Sequence, residues 1–265
     1  MTHRPIPTRD DLAQVGVAGQ WAVEELDRDL FRGRATPSRS RGDAEARTLA
    51  RSLLAAGRTT AAGLVPRSLR AAHVRPTDPA RATVFEVSRD RDAPDYADRR
   101  VVALQDARVV LSLSASFGRP PGAGTRSVPS RERVPPGVLA EVTFGPLPGV
   151  TMRVSARHGV LPSLNGLWLQ RTRELPDEPV LDAAVLAYAT DAFPSGAPEG
   201  HGVSAEAVLD HSMWFHQPSR LDEWVRVDVR AQRFGGEGWH SSGSVLTSSG
   251  DHVASFVRTT REDVS

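Results

Sequence analysis

Asp191 closes a segment, Ala183 to Ala189 (Ala-Ala-Val-Leu-Ala-Tyr-Ala), that has no polar face. A helix apolar all round is buried on all sides. A carboxylate at the C-terminal end of such a helix meets two influences that favour its protonated form, desolvation and the negative end of the helix dipole. A carboxyl group raised in this way is suited to take a proton from water. The alternative reading is an exposed aspartate in the turn that ends the helix, beside Pro194-Ser195-Gly196.

A second candidate region is the run Leu209-Asp210-His211-Ser212-Met213-Trp214-Phe215-His216-Gln217-Pro218. Side chains alternate along a strand. Asp210, Ser212, Trp214 and His216 therefore share one face, and His211, Met213 and Phe215 the other. Each histidine reads either as a functional imidazole or as a structural one with a satisfied partner. Neither belongs to a His-x-x-x-His pattern or an acidic cluster at ligand spacing, so no metal site is expected. Gly235-Gly236-Glu237-Gly238 lacks the strand-to-helix context and the lysine of a phosphate loop and reads as a hairpin or bulge. Ser241-Ser242-Gly243-Ser244 has no nucleophile-elbow pattern.

Composition removes other chemistries. The 265 residues contain no cysteine, so thiolate catalysis, disulfides and cysteine-built metal sites are excluded. All 33 basic residues are arginine, which excludes a lysine Schiff base. The net charge of +1 gives no argument for nucleic acid. No apolar run approaches the roughly 20 residues that span a bilayer, so no membrane association is expected. Met1 to Gln14 is polar with no apolar signal core, and a cytoplasmic location is the expectation.

These residues need elements to position them. Gly16 to Arg34 reads as a strand hairpin, Asp43 to Ala56 as a helix stopped by Gly57, and Leu69 to Val74 and Ala82 to Ser88 as strands. Arg89-Asp90-Arg91-Asp92 reads as a solvated loop, and Arg100 to Phe117 as a hairpin turning near Gln105-Asp106-Ala107. Gly118 to Gly137, with five prolines, cannot sustain a ladder and reads as a linker. The order then repeats: strands Val150 to Ala156 and Leu167 to Thr172, a helix Pro179 to Asp191, then strands Val208 to His216, Val225 to Arg233, His240 to Thr247 and His252 to Thr259. Two units of one plan are predicted, 1–117 and 145–265, joined by the linker 118–144.

The second unit resembles the acyl-CoA thioesterase II family in Leu175-Pro176-Asp177-Glu178-Pro179, Ala183 to Asp191, Asp210 to Pro218, Asp222-Glu223-Trp224 and Val253-Ala254-Ser255. The first resembles it more loosely, in Phe31-Arg32-Gly33, Arg75-Pro76-Thr77-Asp78-Pro79, Arg99-Arg100-Val101 and Leu113-Ser114-Ala115-Ser116-Phe117. The resemblance implies an α+β double hotdog, two antiparallel sheets each wrapping a long helix and joined as a pair. It implies hydrolysis of acyl thioesters, acyl-CoA or carrier-bound, by an Asp-activated water, with no cofactor.

Carried over, the family aspartate is Asp191. The family hydroxyl position falls at Val208 and the family glutamine at Arg258, and neither matches. The expected catalytic residues are Asp191 and Arg258, with Val208, His211, Trp214 and His216 binding substrate. Arg258 reads either as a pocket guanidinium paired with Asp191 or as a solvent-facing strand residue. A pair would suit a second activity, cyclisation, dehydration or isomerisation of a polyketide-like intermediate. A third reading is a non-catalytic acyl-binding protein. A homo-oligomer assembled through sheet edges is expected as well.

Overall fold

The computed structural model describes residues 17–38, 40–120, 140–141, 149–154, 166–192, 206–234 and 238–262. Three helices lie among these, α1 (Val17–Trp21), α2 (Arg41–Gly57) and α3 (Pro179–Ala192). The strands are β1 (Glu24–Asp27), β2 (Leu30–Gly33), β3 (Val65–His73), β4 (Thr83–Ala93), β5 (Tyr96–Gln105), β6 (Arg108–Gly118), β7 (Ala140–Glu141), β8 (Val150–Val154), β9 (Leu167–Arg171), β10 (Glu206–Phe215), β11 (Val225–Phe234), β12 (Gly238–Thr247) and β13 (His252–Glu262).

All thirteen strands form one antiparallel sheet in the order β1-β2-β4-β5-β6-β3-β10-β13-β12-β11-β9-β8-β7. The order β2-β4-β5-β6-β3 in the first half recurs, strand for strand, as β9-β11-β12-β13-β10 in the second. In each half the long helix follows the first of these five strands. The halves meet edge to edge where β3 pairs with β10, Ala71 opposite His211. That pairing closes an edge each half would otherwise expose.

The helices form because their ends are marked and their faces can be buried. Ser40 caps α2 by accepting a hydrogen bond from the Asp43 amide at 3.2 Å. In α3 every residue from Leu181 to Asp191 is buried. A Cβ on Gly42 would lie 3.7 Å from the Ala192 carbonyl, and one on Gly57 only 2.6 Å from Val180 Cγ1. The start of α2 thus lies beside the end of α3, and the two helices run antiparallel. Gly57 does not stop α2 through a left-handed cap, since Arg58 follows in right-handed helical conformation. Its missing side chain instead lets Val180 pack close.

Other boundaries also move. The segment from Val17 to Trp21 is helical, and only Glu24–Gly33 forms the expected hairpin. The Arg89–Asp92 run is strand: β4 continues to Ala93 with its charged residues exposed. Alternating charges tolerate an edge-like, solvated extension as readily as a loop. The turn at Asp106-Ala107 is where the sequence places it, both residues having positive φ (48° and 59°). Most of the linker 118–144, and Gly235 to Glu237, lie outside the described residues; Ala140–Glu141 within that linker pairs with β8.

Candidate active site

Four of the sequence-predicted residues share the inner face of the second half, and two do not. In β10, His211, Met213 and Phe215 are buried, while Trp214 is 38% exposed on the outer face. His216, just past the strand end, is half-buried and engages Ser255 Oγ at 2.8 Å. Trp214 and His216 therefore stand apart from Asp191. Val208 is turned inward only because a bulge between Val208 and Asp210 shifts the register. Beyond it Val208 faces Thr260, and His211 faces Arg258, all four buried.

Asp191 is not the exposed turn residue of the alternative reading: its side chain is 1% exposed. Oδ1 lies 3.3 Å from His211 Nδ1 and 3.3 Å from His73 Nε2. His73 Nε2 is also 3.3 Å from Oδ2. Two imidazoles thus flank one carboxylate, one from each half of the molecule. His211 Nε2 lies 3.3 Å from Thr190 Oγ1, whose single proton is directed to the Leu186 carbonyl at 2.8 Å. The His211 ring also stands edge-on to Phe256, centroids 6.0 Å apart.

The electrostatics reverse the expectation for Asp191. Burial pushes its carboxyl pKa upward, but the neighbouring His73 and His211 push harder the other way and hold it well below the usual carboxylate range. Burial acts on His73 too and would lower its pKa; the Asp191 carboxylate outweighs this and leaves it raised. Asp191 is ionised, and His73 holds its proton more tightly than an ordinary histidine.

Arg258 takes neither of the arrangements foreseen for it. It is fully buried, and Nη1 donates to the backbone carbonyls of Thr190 at 2.9 Å and Asp191 at 3.0 Å. The last carbonyls of a helix have no intrahelical partner and carry its negative partial charge. Arg258 satisfies two of them. It touches Asp191 through the main chain.

Sequence reasoning missed His73, Thr190 and Thr260. A signal for His73 was present: Leu69, Ala71 and His73 alternate on the buried face of β3. Thr260 follows Arg258 by one strand repeat, so both face inward, and its buried Oγ1 has no hydrogen-bond partner among the described residues. Also among the described residues, no group of three His, Asp or Glu side chains is arranged to hold a metal ion.

Residues 120–260 match the model of a family described as the acyl-CoA thioesterase C-terminal domain. This chain belongs to the acyl-CoA thioesterase II family. It is 27% identical over 266 residues to acyl-coenzyme A thioesterase 8 of Rattus norvegicus, covering 85% of this chain and 82% of the relative. An acyl-CoA thioesterase II structure from Mycobacterium marinum superimposes with a TM-score of 0.79 at 27% identity, covering 94% of this chain and 98% of that one. A protein from Alicyclobacillus acidocaldarius described as having a hotdog fold superimposes with a TM-score of 0.72 at 19% identity, covering 94% and 98%. The fold is thus of hotdog type.

Proposed function

We propose that this protein hydrolyses acyl thioesters, acyl-CoA or carrier-bound, with Asp191 activating the attacking water within a double hotdog whose units are 1–117 and 145–265. Family membership supports the substrate class. The observation that carries the mechanism is the ionised carboxylate of Asp191, buried at the seam with Oδ2 accepting no hydrogen bond among the described residues. An unsatisfied buried acceptor costs free energy, and a water held there removes the cost. Val208 offers no hydrogen-bond donor, and the Thr260 hydroxyl opposite it supplies one to the thioester oxygen.

The cyclisation, dehydration or isomerisation reading rested on an Asp191–Arg258 ion pair. With the guanidinium on helix carbonyls, that reading loses its geometric basis. The test is thiol release from acyl-CoA substrates of graded chain length, read with a thiol-reactive dye. A chain without cysteine adds no background. Turnover by the wild type that is lost in Asp191→Ala supports a hydrolase. Binding of acyl-CoA with no turnover supports the non-catalytic alternative.

A further inference from the structure

We infer that His73 is a catalytic residue, the base that receives the proton of the attacking water, while Asp191 orients and stabilises it. The inference rests on the hydrolase reading and changes who accepts the proton.

Geometry separates the two imidazoles. His211 is wholly buried, and each ring nitrogen already faces an oxygen, Nδ1 toward Asp191 and Nε2 toward Thr190. Its Nδ1 makes no hydrogen bond among the described residues but is sealed in the interior against Asp191 Oδ1. His73 presents Nε2 to Asp191, and its Nδ1 has no hydrogen-bond partner among the described residues. Of the two, His73 is the one that hydrogen-bonds the carboxylate through one ring nitrogen and keeps the other for a proton, whereas His211 hydrogen-bonds Thr190. A carboxylate held well below its usual range is itself a weak base. An imidazole paired with that carboxylate is a stronger one.

The step balances without any further reagent. Water gives a proton to His73 Nδ1 as its oxygen attacks the thioester carbonyl, whose π pair moves onto oxygen. The tetrahedral oxyanion re-forms the carbonyl and breaks the C–S bond, and sulfur leaves with the pair. The imidazolium returns the Nδ1 proton to the thiolate, giving acid and thiol. Asp191 remains ionised throughout, beside the cation that forms.

Charged groups from two helices act on this ring, Asp191 from α3 and Glu45 and Arg41 from α2, and the titratable His211 of β10 stands on the same carboxylate. Their net effect raises the pH at which the base becomes available. Turnover by the wild type should rise with pH along a limb set by His73, with its midpoint above that of an ordinary histidine.

The experiment is a pH profile of thiol release by the full chain, wild type beside His73→Gln and His211→Gln. Glutamine can still donate a hydrogen bond to Asp191 but cannot carry the proton. His73→Gln should lose on the order of 100-fold or more in kcat, with a smaller change in KM, and should lose the limb. His211→Gln, whose change is confined to supporting the carboxylate, should keep the limb. His73→Gln that melts like the wild type and turns over at the wild-type rate, or with an unchanged limb, overturns the inference and leaves the hydrolase reading standing. A wild type that releases no thiol overturns both.

Discussion

Helix α3 carries a buried aspartate near each end, and the two are held in opposite states. Asp182, in the first turn, sits where the helix dipole favours a negative charge, yet its carboxyl is pushed up to about 6. Asp191, at the other end, sits where the dipole disfavours charge, yet its carboxyl lies well below the usual range. At Asp182 burial dominates. The Leu221 amide at 3.0 Å and Arg171 Nε at 3.0 Å oppose it, while Asp177 and Asp222 reinforce it. At Asp191 two imidazoles overcome burial. The immediate partners decide the charge, and the dipole is the lesser influence.

The partners also assign the jobs. Asp182 ties α3 to the Leu221 amide and to β9 through Arg171, so its oxygens hold protein in place. Asp191 ties α3 to β3 and β10, where the halves join. Asp182 Oδ1 and Asp191 Oδ2 both lack a hydrogen bond among the described residues, and what sets the Asp191 end apart is the pair of titratable imidazoles, one from each half, around its carboxylate.

The largest stability effect is expected from uncapping the Asp191 end. Arg258→Met leaves the Thr190 and Asp191 carbonyls buried without this donor and should cost about 2–3 kcal/mol in urea unfolding. A loss near zero would mean that Arg258 is not what neutralises this end. At the other end, Gly57→Leu drives a side chain into the space of Val180. It should cost about 1–3 kcal/mol by overpacking and leave turnover intact.

The pH dependence of stability should carry opposite signs at the two ends. The folded-state pKa of Asp182, about 6, lies above its unfolded value. Its contribution is therefore full below the ordinary Asp value and is lost as pH rises through about 6. Urea midpoints of Asp182→Asn minus wild type should improve between pH 4 and 7. Asp191 is depressed, so its contribution is present above the ordinary Asp value and is lost as pH falls through its lower folded value. The smallest and most diagnostic effect is the flattening of that acid-side loss in Asp191→Asn.

Much of this was legible in the sequence because it is local. Strand alternation put His211 and Trp214 on opposite faces without saying which is inward, and the apolar run Ala183 to Ala189 announced a buried helix ending at Asp191. The first-half contribution was not legible. His73 meets Asp191 across a separation of 118 residues, through a β3–β10 pairing that no periodicity encodes. The inward turn of Val208 depends on a bulge, which local propensity does not reveal. Arg258 was misread because a guanidinium suggests an anionic partner, while here its nearest demand was a pair of helix carbonyls.

The most direct test sets the two aspartates side by side in thiol release from acyl-CoA at neutral pH. Asp191→Asn should fall by at least about 100-fold, since both the attacking water and the His73 base depend on its carboxylate. Asp182→Asn should turn over within about twofold of the wild type, since acid–base catalysis is not its task. Equal losses in both variants, or full activity in Asp191→Asn, would contradict the assignment of the active site to the Asp191 end of α3.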